Sequence, residues 1–248
     1  MTELDVNQVR ANIDRVRDEI DQACRAAGRN QSEITLIAVT KNFPSAAVEF
    51  AVAAGLTDVG ESKAQELSAK HDALSQLAVN WHFIGRLQRN KAKSVVAHAD
   101  VIASIDRLPL LNAVDRAAQD CDRFTPEQRL AIMLQVDIDP AAVHSEGTDG
   151  GAARGGVHPA ELMALAAEVA RSGALRLSGL MAIAPLGQDP APCFERLASL
   201  SEMLRTEHPS ATAISAGMSA DFVPAIQNGA THLRVGTALF GARPLPSN

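Results

Sequence analysis

Short apolar runs rich in β-branched residues alternate with amphipathic stretches along most of this 248-residue chain. Several runs are apolar at nearly every position, which is typical of strands that are covered on both faces. Their regular alternation with helical patterns predicts parallel strands joined by crossover helices. The eight predicted strands are 34–40, 57–61, 80–85, 100–105, 129–138, 175–183, 212–217 and 231–240.

Helical spacing of apolar residues fills the stretches before and between these strands. The first predicted helix covers about residues 6–27, and Gly28 follows it as a helix stop. Eight strand–helix repeats in a chain of this length predict an α/β protein. We expect a single (β/α)8 barrel of the TIM type over residues 1–248, with the first helix as an N-terminal addition, and a doubly wound open sheet is the alternative. The other predicted helices are 45–54, 63–77, 108–118, 160–171 and 194–207.

Composition narrows the classes of partner. Hydrophobic residues make up 46% of the chain, as in folded globular proteins, and the net charge of −6 argues against a nucleic-acid partner. The acidic, polar start lacks the features of a signal peptide, and no apolar run is long enough to cross a bilayer. The three cysteines form no CxxC pair and suit reduced thiols. We therefore expect a cytoplasmic protein without a membrane or nucleic-acid partner.

Candidate chemistry in such a barrel belongs at the carboxyl ends of the strands. Lys41 ends the first strand, and a lysine in a partly apolar barrel mouth can form a Schiff base with an aldehyde. It can equally be a solvated lysine at a strand terminus. Glu61 ends the second strand and His82 lies in the third, so each could face the mouth. His82 can also be a core histidine with its hydrogen bonds satisfied.

The turns after the seventh and eighth strands are rich in glycine and hydroxyl residues. Ser219 follows the seventh strand, where Gly217 permits a tight turn and Asp221 begins a predicted helix. Gly236 and Thr237 follow the eighth strand. Phosphate groups often bind between these two loops in (β/α)8 barrels, and helix starts offer free N–H groups to anions. The pattern predicts a phosphate site, and an ordinary helix cap is the alternative for Ser219.

Three further features leave their roles open. Arg234 lies two residues before Gly236 and therefore shares its strand face. An arginine on the inner face of the barrel needs an acceptor or a salt bridge there. The basic cluster 86–93 is a solvated helix start or a site for a second anion. The polar, glycine-rich segment 145–156 is predicted to be a mobile loop. No spacing of histidine, cysteine and carboxylate residues predicts a metal site.

Seven stretches form a distinctive pattern in chain order: LIAVTKNFP (36–44), AGLTDVGESKAQE (54–66), WHFIGRLQRNK (81–91), SIDR (104–107), RGG (154–156), GLMAI (179–183) and ISAGMSADFVPAIQNGATHLRVGTALFGAR (214–243). Together they resemble the pyridoxal 5'-phosphate (PLP) homeostasis protein family, whose members are single-domain barrels of PLP fold type III. The resemblance covers nearly the whole chain, and the last stretch is long and highly specific.

The resemblance implies that PLP is the cofactor and assigns it a set of residues. Lys41 would hold PLP as an internal aldimine, and Arg234 would face the pyridine nitrogen. A guanidinium cannot readily give up a proton, so that nitrogen would stay unprotonated and the ring would be a weak electron sink. The phosphate would be bound by Ser219, Gly236 and Thr237. The further cofactor-binding positions that the resemblance implies are Glu61, Ser62 and Met218.

Two positions depart from the family pattern. Ser62 stands where the family usually has an asparagine, so a side-chain contact beside the ring is lost or replaced. Arg154 stands where the family has a lysine, which keeps the charge but puts in doubt any role that needs an amine.

The resemblance implies a role in intracellular PLP homeostasis, with little or no catalysis, PLP as ligand and apo-enzymes that need PLP as possible recipients. The alternative is a fold type III enzyme such as an amino-acid racemase. Racemases of the alanine type use a lysine and a tyrosine as bases, and this chain has no tyrosine. His82 could serve as the second base, so the alternative stays open. A sugar-phosphate enzyme would leave Lys41 and Arg234 unexplained. An interaction protein stays open as well, although the sequence has no exposed apolar stripe to support it. We expect a monomer or a weak dimer.

Overall fold

Eight parallel strands close into a barrel within residues 5–139 and 155–242, the part of the chain that the computed structural model describes. Each strand pairs with its neighbour in sequence, and the first strand pairs with the last, with Ile37 opposite Arg234. This closure confirms the (β/α)8 barrel and excludes the open sheet. The strands are β1 (Thr35–Val39), β2 (Asp58–Glu61), β3 (Asn80–Phe83), β4 (Val101–Ile105), β5 (Leu130–Gln135), β6 (Leu175–Met181), β7 (Ala213–Ser215) and β8 (His232–Val235).

Helices surround the barrel, as the crossover connections of parallel strands require. The N-terminal helix, α1 (Val6–Ala26), begins at Asp5, whose carboxylate accepts a hydrogen bond from the Asn7 N–H at 2.9 Å. Its apolar face is buried, and its Asn12 side chain donates to the Leu239 carbonyl at 2.9 Å. The other helices are α2 (Ala46–Ala53), α3 (Ala64–Ala73), α4 (Ala92–Val96), α5 (Leu108–Gln119), α6 (Leu162–Arg171), α7 (Ala191–Glu207), α8 (Phe222–Gln227) and α9 (Thr237–Phe240).

Alternation along the strands separates two apolar regions. Outward-facing side chains such as Ile102 and Ile132 belong to the large core between barrel and helices. Inward-facing side chains such as Ala103, Ala131 and Met133 form a small cluster inside the barrel. Because successive side chains point to opposite faces, the inward set can be followed along each strand to the mouth, the end of the barrel where the strands terminate.

The eighth strand ends earlier than the sequence predicts. The predicted strand 231–240 stops at Val235, and Thr237–Phe240 forms a short helix. Gly236 adopts φ −125° and ψ −70°, outside the extended region, so the ladder cannot continue. The chain therefore turns at the mouth and does not cross it.

Some of the features predicted from the sequence lie outside the described residues. The predicted loop 145–156 lies outside them except for its last two residues, and Arg154 lies outside them as well. The prediction of one domain over residues 1–248 likewise extends beyond them. None of the helices in the described ranges combines the length and the apolar character that a membrane span needs.

Candidate functional site

Lys41 lies at the mouth, just after β1. A side chain built onto Gly60 of β2 would lie 3.2 Å from Ile37 and 3.4 Å from Val39, so these two β1 side chains point into the barrel. The ladder continues to Thr40, whose N–H donates to the Gly60 carbonyl at 3.1 Å and whose side chain points outward. Lys41 therefore follows on the inward side, where it is half-buried.

Glu61 does not face the mouth, which corrects the expectation from its place at the end of β2. Its carboxylate lies between barrel and helices, where Oε1 accepts hydrogen bonds from Thr40 Oγ1 and Lys70 Nζ, each at 2.6 Å. Lys70 also donates to the Thr40 carbonyl at 2.7 Å. Burial raises the pKa of Glu61, although Lys70 and Thr40 oppose this. Alternation explains the placement, because Gly60 points inward and Glu61 therefore points outward.

A second set of polar contacts fixes the other side of Lys41. Asn42 has a left-handed backbone, with φ of 64°, and its N–H donates to Glu66 Oε2 at 2.7 Å. Lys63 Nζ bridges the two, donating to Asn42 Oδ1 and Glu66 Oε1 at 2.8 Å each. Burial raises the pKa of Glu66, but the Asn42 N–H and Lys63 outweigh it, so the pKa is lowered. The chain is thus held on both sides of Lys41.

The residues that hold Lys41 in place all belong to α3 or directly precede it. Lys63, Glu66 and Lys70 lie three or four positions apart and therefore share one helix face. The sequence analysis missed them because charged residues at this spacing also occur on solvated helix faces. The signal that could have found them is their position after the second strand, beside the loop that follows the first.

Arg234 is buried inside the barrel on β8, the strand next to β1. Its guanidinium donates to Ser215 Oγ at 2.7 Å and to the Ala182 carbonyl at 2.8 Å, both neutral acceptors. Among the described residues no carboxylate forms an ion pair with it. Burial lowers the pKa of Arg234 to about 10, so the side chain is still charged at neutral pH. A buried cation held only by neutral acceptors is suited to a ligand that offers a further lone pair.

The turns after β7 and β8 meet beside the mouth. Gly217 has φ of +86°, and a Cβ there would lie 2.8 Å from the Phe222 Cα, so this turn requires glycine. The Ala238 N–H donates to Ser219 Oγ at 3.3 Å, which links the two turns. Thr237 is exposed at the first position of α9. The hydroxyls and N–H groups of the two turns thus converge, as a phosphate site requires.

The position of β1 brings these turns close to Lys41. A Cβ built onto Gly236 would lie 3.1 Å from the Val39 carbonyl. The rings of Phe43 and Phe240 lie next to each other, with centroids 5.3 Å apart. Met218 is half-buried in the turn after β7, and its N–H donates to the Asp221 carboxylate at 2.6 Å. Asp221 therefore caps the turn, while Ser219 contacts the neighbouring one.

Ser62 lies just after β2, on the other flank of β1 from β8. It is half-buried and packs directly against Gly85, where a Cβ would overlap the Ser62 backbone. The basic cluster of residues 86–93 begins next to this contact. Three of its cations, Arg86, Arg89 and Lys93, are exposed. The structure thus places the cluster on the rim of the mouth without closing it around a ligand.

His82 lies deep in the barrel, away from the mouth. Its Nε2 is 2.8 Å from Asp58 Oδ1, and its ring centroid is 6.3 Å from that of His232. We call Asp58, His82 and His232 the lower layer, since Asp58 and His232 begin their strands. Burial raises the pKa of Asp58, but hydrogen bonds from His82, Asn80 and Thr57 outweigh it and the pKa is lowered. Burial, together with nearby His82, lowers the pKa of His232 to about 4.

The mouth therefore combines a lysine amine, a buried guanidinium and two linked turns that can receive an anion. Such a set can hold a small molecule that carries an aldehyde, a ring acceptor and a phosphate. Of the sequence-predicted residues, Lys41, Arg234, Ser219, Gly236, Thr237 and Met218 belong to one continuous wall, formed by β1, β8 and β7. Ser62, just after β2, adjoins this wall on the other flank of β1, and Glu61 lies behind it.

Comparison with known proteins finds a matching family model and similar sequences. The family model of the alanine racemase N-terminal domain matches residues 4–244. The pyridoxal phosphate homeostasis protein of Mycobacterium leprae is 38% identical over 245 residues, covering 94% of this chain and 91% of the relative. The protein of the same name from Pseudomonas aeruginosa is also 38% identical, covering 96% and 97%.

Solved structures agree with the sequence relatives. PipY of Synechococcus elongatus, in a structure with PLP bound, is 36% identical with a TM-score of 0.73, covering 84% of this chain and 93% of PipY. Alanine racemase from Corynebacterium glutamicum has a TM-score of 0.64 at 14% identity, covering 99% of this chain and 63% of the racemase. This second likeness concerns the fold alone.

Proposed function

This chain belongs to the pyridoxal phosphate homeostasis protein family, and from that membership we propose that it binds PLP at the barrel mouth and takes part in PLP homeostasis. The match to this chain covers more than nine-tenths of each of the two relatives with that name, and PipY has been solved with PLP bound. The mouth of this chain offers a group for each reactive part of the cofactor.

Six residues along the wall, with Ser62 beside it after β2, would hold PLP. The Lys41 amine would bind the aldehyde covalently, and Arg234 would donate to the pyridine nitrogen. The phosphate would lie between the two linked turns, against Ser219, Gly236 and Thr237. Met218 and Ser62 would flank the ring. Glu61 would act indirectly, because its carboxylate holds Thr40 and not the mouth.

The observation that carries the proposal is the environment of Arg234. A buried guanidinium with only neutral acceptors is costly unless a ligand completes its hydrogen bonds. Its donors fit an unprotonated ring nitrogen, which can only accept. The combination of this cation with an inward lysine on the neighbouring strand suits PLP, which offers a ring nitrogen to the guanidinium and an aldehyde to the amine.

The same arginine favours a carrier over an enzyme. Bound PLP supplies an electron sink for carbanion chemistry, and that sink is strong only when the pyridine nitrogen is protonated. Arg234 retains its proton at neutral pH, so it would donate a hydrogen bond and leave the ring nitrogen unprotonated. A racemase also needs a second base opposite the lysine. This chain has no tyrosine, and His82 is hydrogen-bonded to Asp58 in the lower layer, so it is not at the mouth.

Reduction mapping tests the proposal directly. We expect the purified protein to show a visible absorption band that borohydride removes, and peptide mass mapping to find the cofactor on the Lys41 peptide. The Lys41→Ala variant should carry no covalent cofactor, whereas Lys93→Ala, which removes an exposed lysine on the rim, should match the unmodified protein. A cofactor that remains bound covalently in Lys41→Ala, or a protein that stays colourless in excess PLP, would overturn the proposal.

Delivery of the cofactor is a further part of the proposal. We propose that the protein acts in the cytoplasm as a monomer or weak dimer and releases PLP to apo-enzymes that need it. A transfer assay with a PLP-dependent apo-enzyme would measure recovery of that enzyme's activity. The loaded protein should restore activity, and Lys41→Ala after the same loading and desalting should not. Equal recovery with both proteins would contradict delivery.

A further inference from the structure

Three potential metal ligands lie together outside the barrel, far from the mouth in the fold. His71 and Asp72 are in the last turn of α3, and His98 follows α4 just before β4. Asp72 Oδ1 lies 3.4 Å from His71 Nδ1 and 3.4 Å from His98 Nε2. All three ligand atoms lie within 4.8 Å of one another. The side chains are 30%, 70% and 20% exposed, so an ion could reach them from solvent.

The distances agree with tetrahedral coordination. Zinc binds histidine nitrogen and carboxylate oxygen at about 2.0–2.2 Å, and two such ligands of a tetrahedron lie about 3.4 Å apart. Both Asp72 distances have this value. The two histidine nitrogens need only a small side-chain movement to complete the third edge, since the three atoms already fall within 4.8 Å.

The histidine rings are also oriented for binding. His98 Nδ1 lies 2.7 Å from the Ser94 carbonyl, which can only accept, so Nδ1 carries the proton and Nε2 keeps its lone pair toward Asp72. Fixing the distal ring nitrogen in this way is usual for histidines that bind metals. The His71 ring packs edge-on against His98, with centroids 4.9 Å apart, and lies 6.0 Å from the Trp81 ring. Packing therefore limits both rings before any ion arrives.

We propose that His71, Asp72 and His98 bind one divalent ion of the zinc class, with water as the fourth ligand. Two imidazoles and one carboxylate favour Zn²⁺ and Cu²⁺ over Mg²⁺ and Ca²⁺, which take oxygen ligands. The bound ion joins the end of α3 to the segment after α4. This site is independent of the PLP proposal, because none of its residues contacts the mouth. The sequence analysis expected no metal site because the ligands come from two separate helices.

Trp81 makes the site directly measurable, since it is the chain's one tryptophan. Addition of Cu²⁺ to the purified protein, expressed without a polyhistidine tag, should quench its fluorescence with a stoichiometry of one. EDTA should restore the signal, and prior addition of Zn²⁺, which does not quench, should shift the Cu²⁺ titration to higher concentration. Zn²⁺ alone should raise the melting temperature, because it binds only the folded state.

Variants separate the site from adventitious binding. His71→Asn and His98→Asn should each abolish stoichiometric quenching and the Zn²⁺-induced rise in melting temperature, while His158→Asn, a histidine outside the cluster, should keep both. Lys41→Ala should also keep both, whether or not it carries PLP. Quenching that survives in the double variant His71→Asn/His98→Asn, or wild-type protein that Cu²⁺ quenches only in large excess, would overturn the proposal. An unchanged melting temperature of each variant without metal controls for folding.

Discussion

The two ends of the barrel interior treat buried charge in opposite ways. In the lower layer the Asp58 carboxylate has charged or polar partners, since Oδ1 contacts His82 Nε2 and accepts from Asn80, although His82 Nδ1 has no partner among the described residues. At the mouth the acceptors that the described residues offer the Arg234 guanidinium are a hydroxyl and a carbonyl. The first arrangement satisfies the buried carboxylate and stabilises the fold. The second is open to a further acceptor, and this difference marks where a ligand belongs.

The largest expected effect comes from opening the lower layer. Asp58→Ala leaves His82 buried without its acceptor, and we expect a loss of about 3 kcal/mol in the free energy of unfolding. PLP binding by the folded protein should be unchanged, as equilibrium dialysis would measure. Asp58→Asn keeps an oxygen acceptor and should lose clearly less stability. An Asp58→Ala variant that stays fully stable but loses PLP would show that the lower layer serves cofactor binding and not stability.

Acid should weaken the same layer. The pKa of His232 is lowered from 6.5 to about 4, so between these values the unfolded chain binds a proton that the folded chain does not. Stability from this group is complete above pH 6.5 and is lost as the pH falls toward 4. We expect about 2 kcal/mol over this range, because partial screening reduces the full linkage value. Denaturant unfolding at several pH values would measure it, and His232→Asn should show a shallower decline.

Arg234→Met should show the reverse behaviour of Asp58→Ala. Removal of a buried cation that has only neutral partners should leave stability equal or slightly higher. Retention of PLP should fall at least tenfold, or about 1.4 kcal/mol. Equilibrium dialysis gives the affinity, and Arg86→Met, on the exposed rim, is the matched control. Unchanged PLP affinity in Arg234→Met would show that this guanidinium does not bind the cofactor.

The smallest expected effect concerns the loop after Lys41. Asn42→Ala places a Cβ-bearing residue without a compensating amide in the left-handed region, at a cost of about 1 kcal/mol. Asn42→Gly loses the bond from Lys63 but fits the backbone. We expect the alanine variant alone to lower both the melting temperature and PLP retention. Equal loss in both variants would show that the Lys63 contact, and not the backbone conformation, holds the loop.

Much of the fold followed from the sequence because local patterns determine it. Apolar runs placed all eight strands, and the alternation along them predicted that Arg234 lies on the inner face, where the structure has it on the strand next to β1. The expectation that Glu61 faces the mouth was wrong because it used only the position at the strand end. Gly60 points into the barrel, so alternation turns the next side chain, Glu61, outward. The partners of buried charges depend on register, so the pairing of Asp58 with His82 could not be predicted.

The residues that hold Lys41 illustrate the remaining gap. Lys63, Glu66 and Lys70 look like any charged helix face in the sequence. Only the packing of α3 against the loop after β1 turns that face into a set of supports. Contacts of this kind need three-dimensional positions, because each joins residues that no periodicity relates.

The pairing of β1 with β8 also sets an order of events during synthesis. The lysine emerges from the ribosome well before the arginine and the turns beside it, which follow far along the sequence. Contacts between such distant parts of a chain form late and slow the folding of a domain. A chain that still lacks β8 therefore has the amine but not the arginine and the turns, so it cannot form the complete pocket. Cofactor capture in this architecture reports that the last strand has docked.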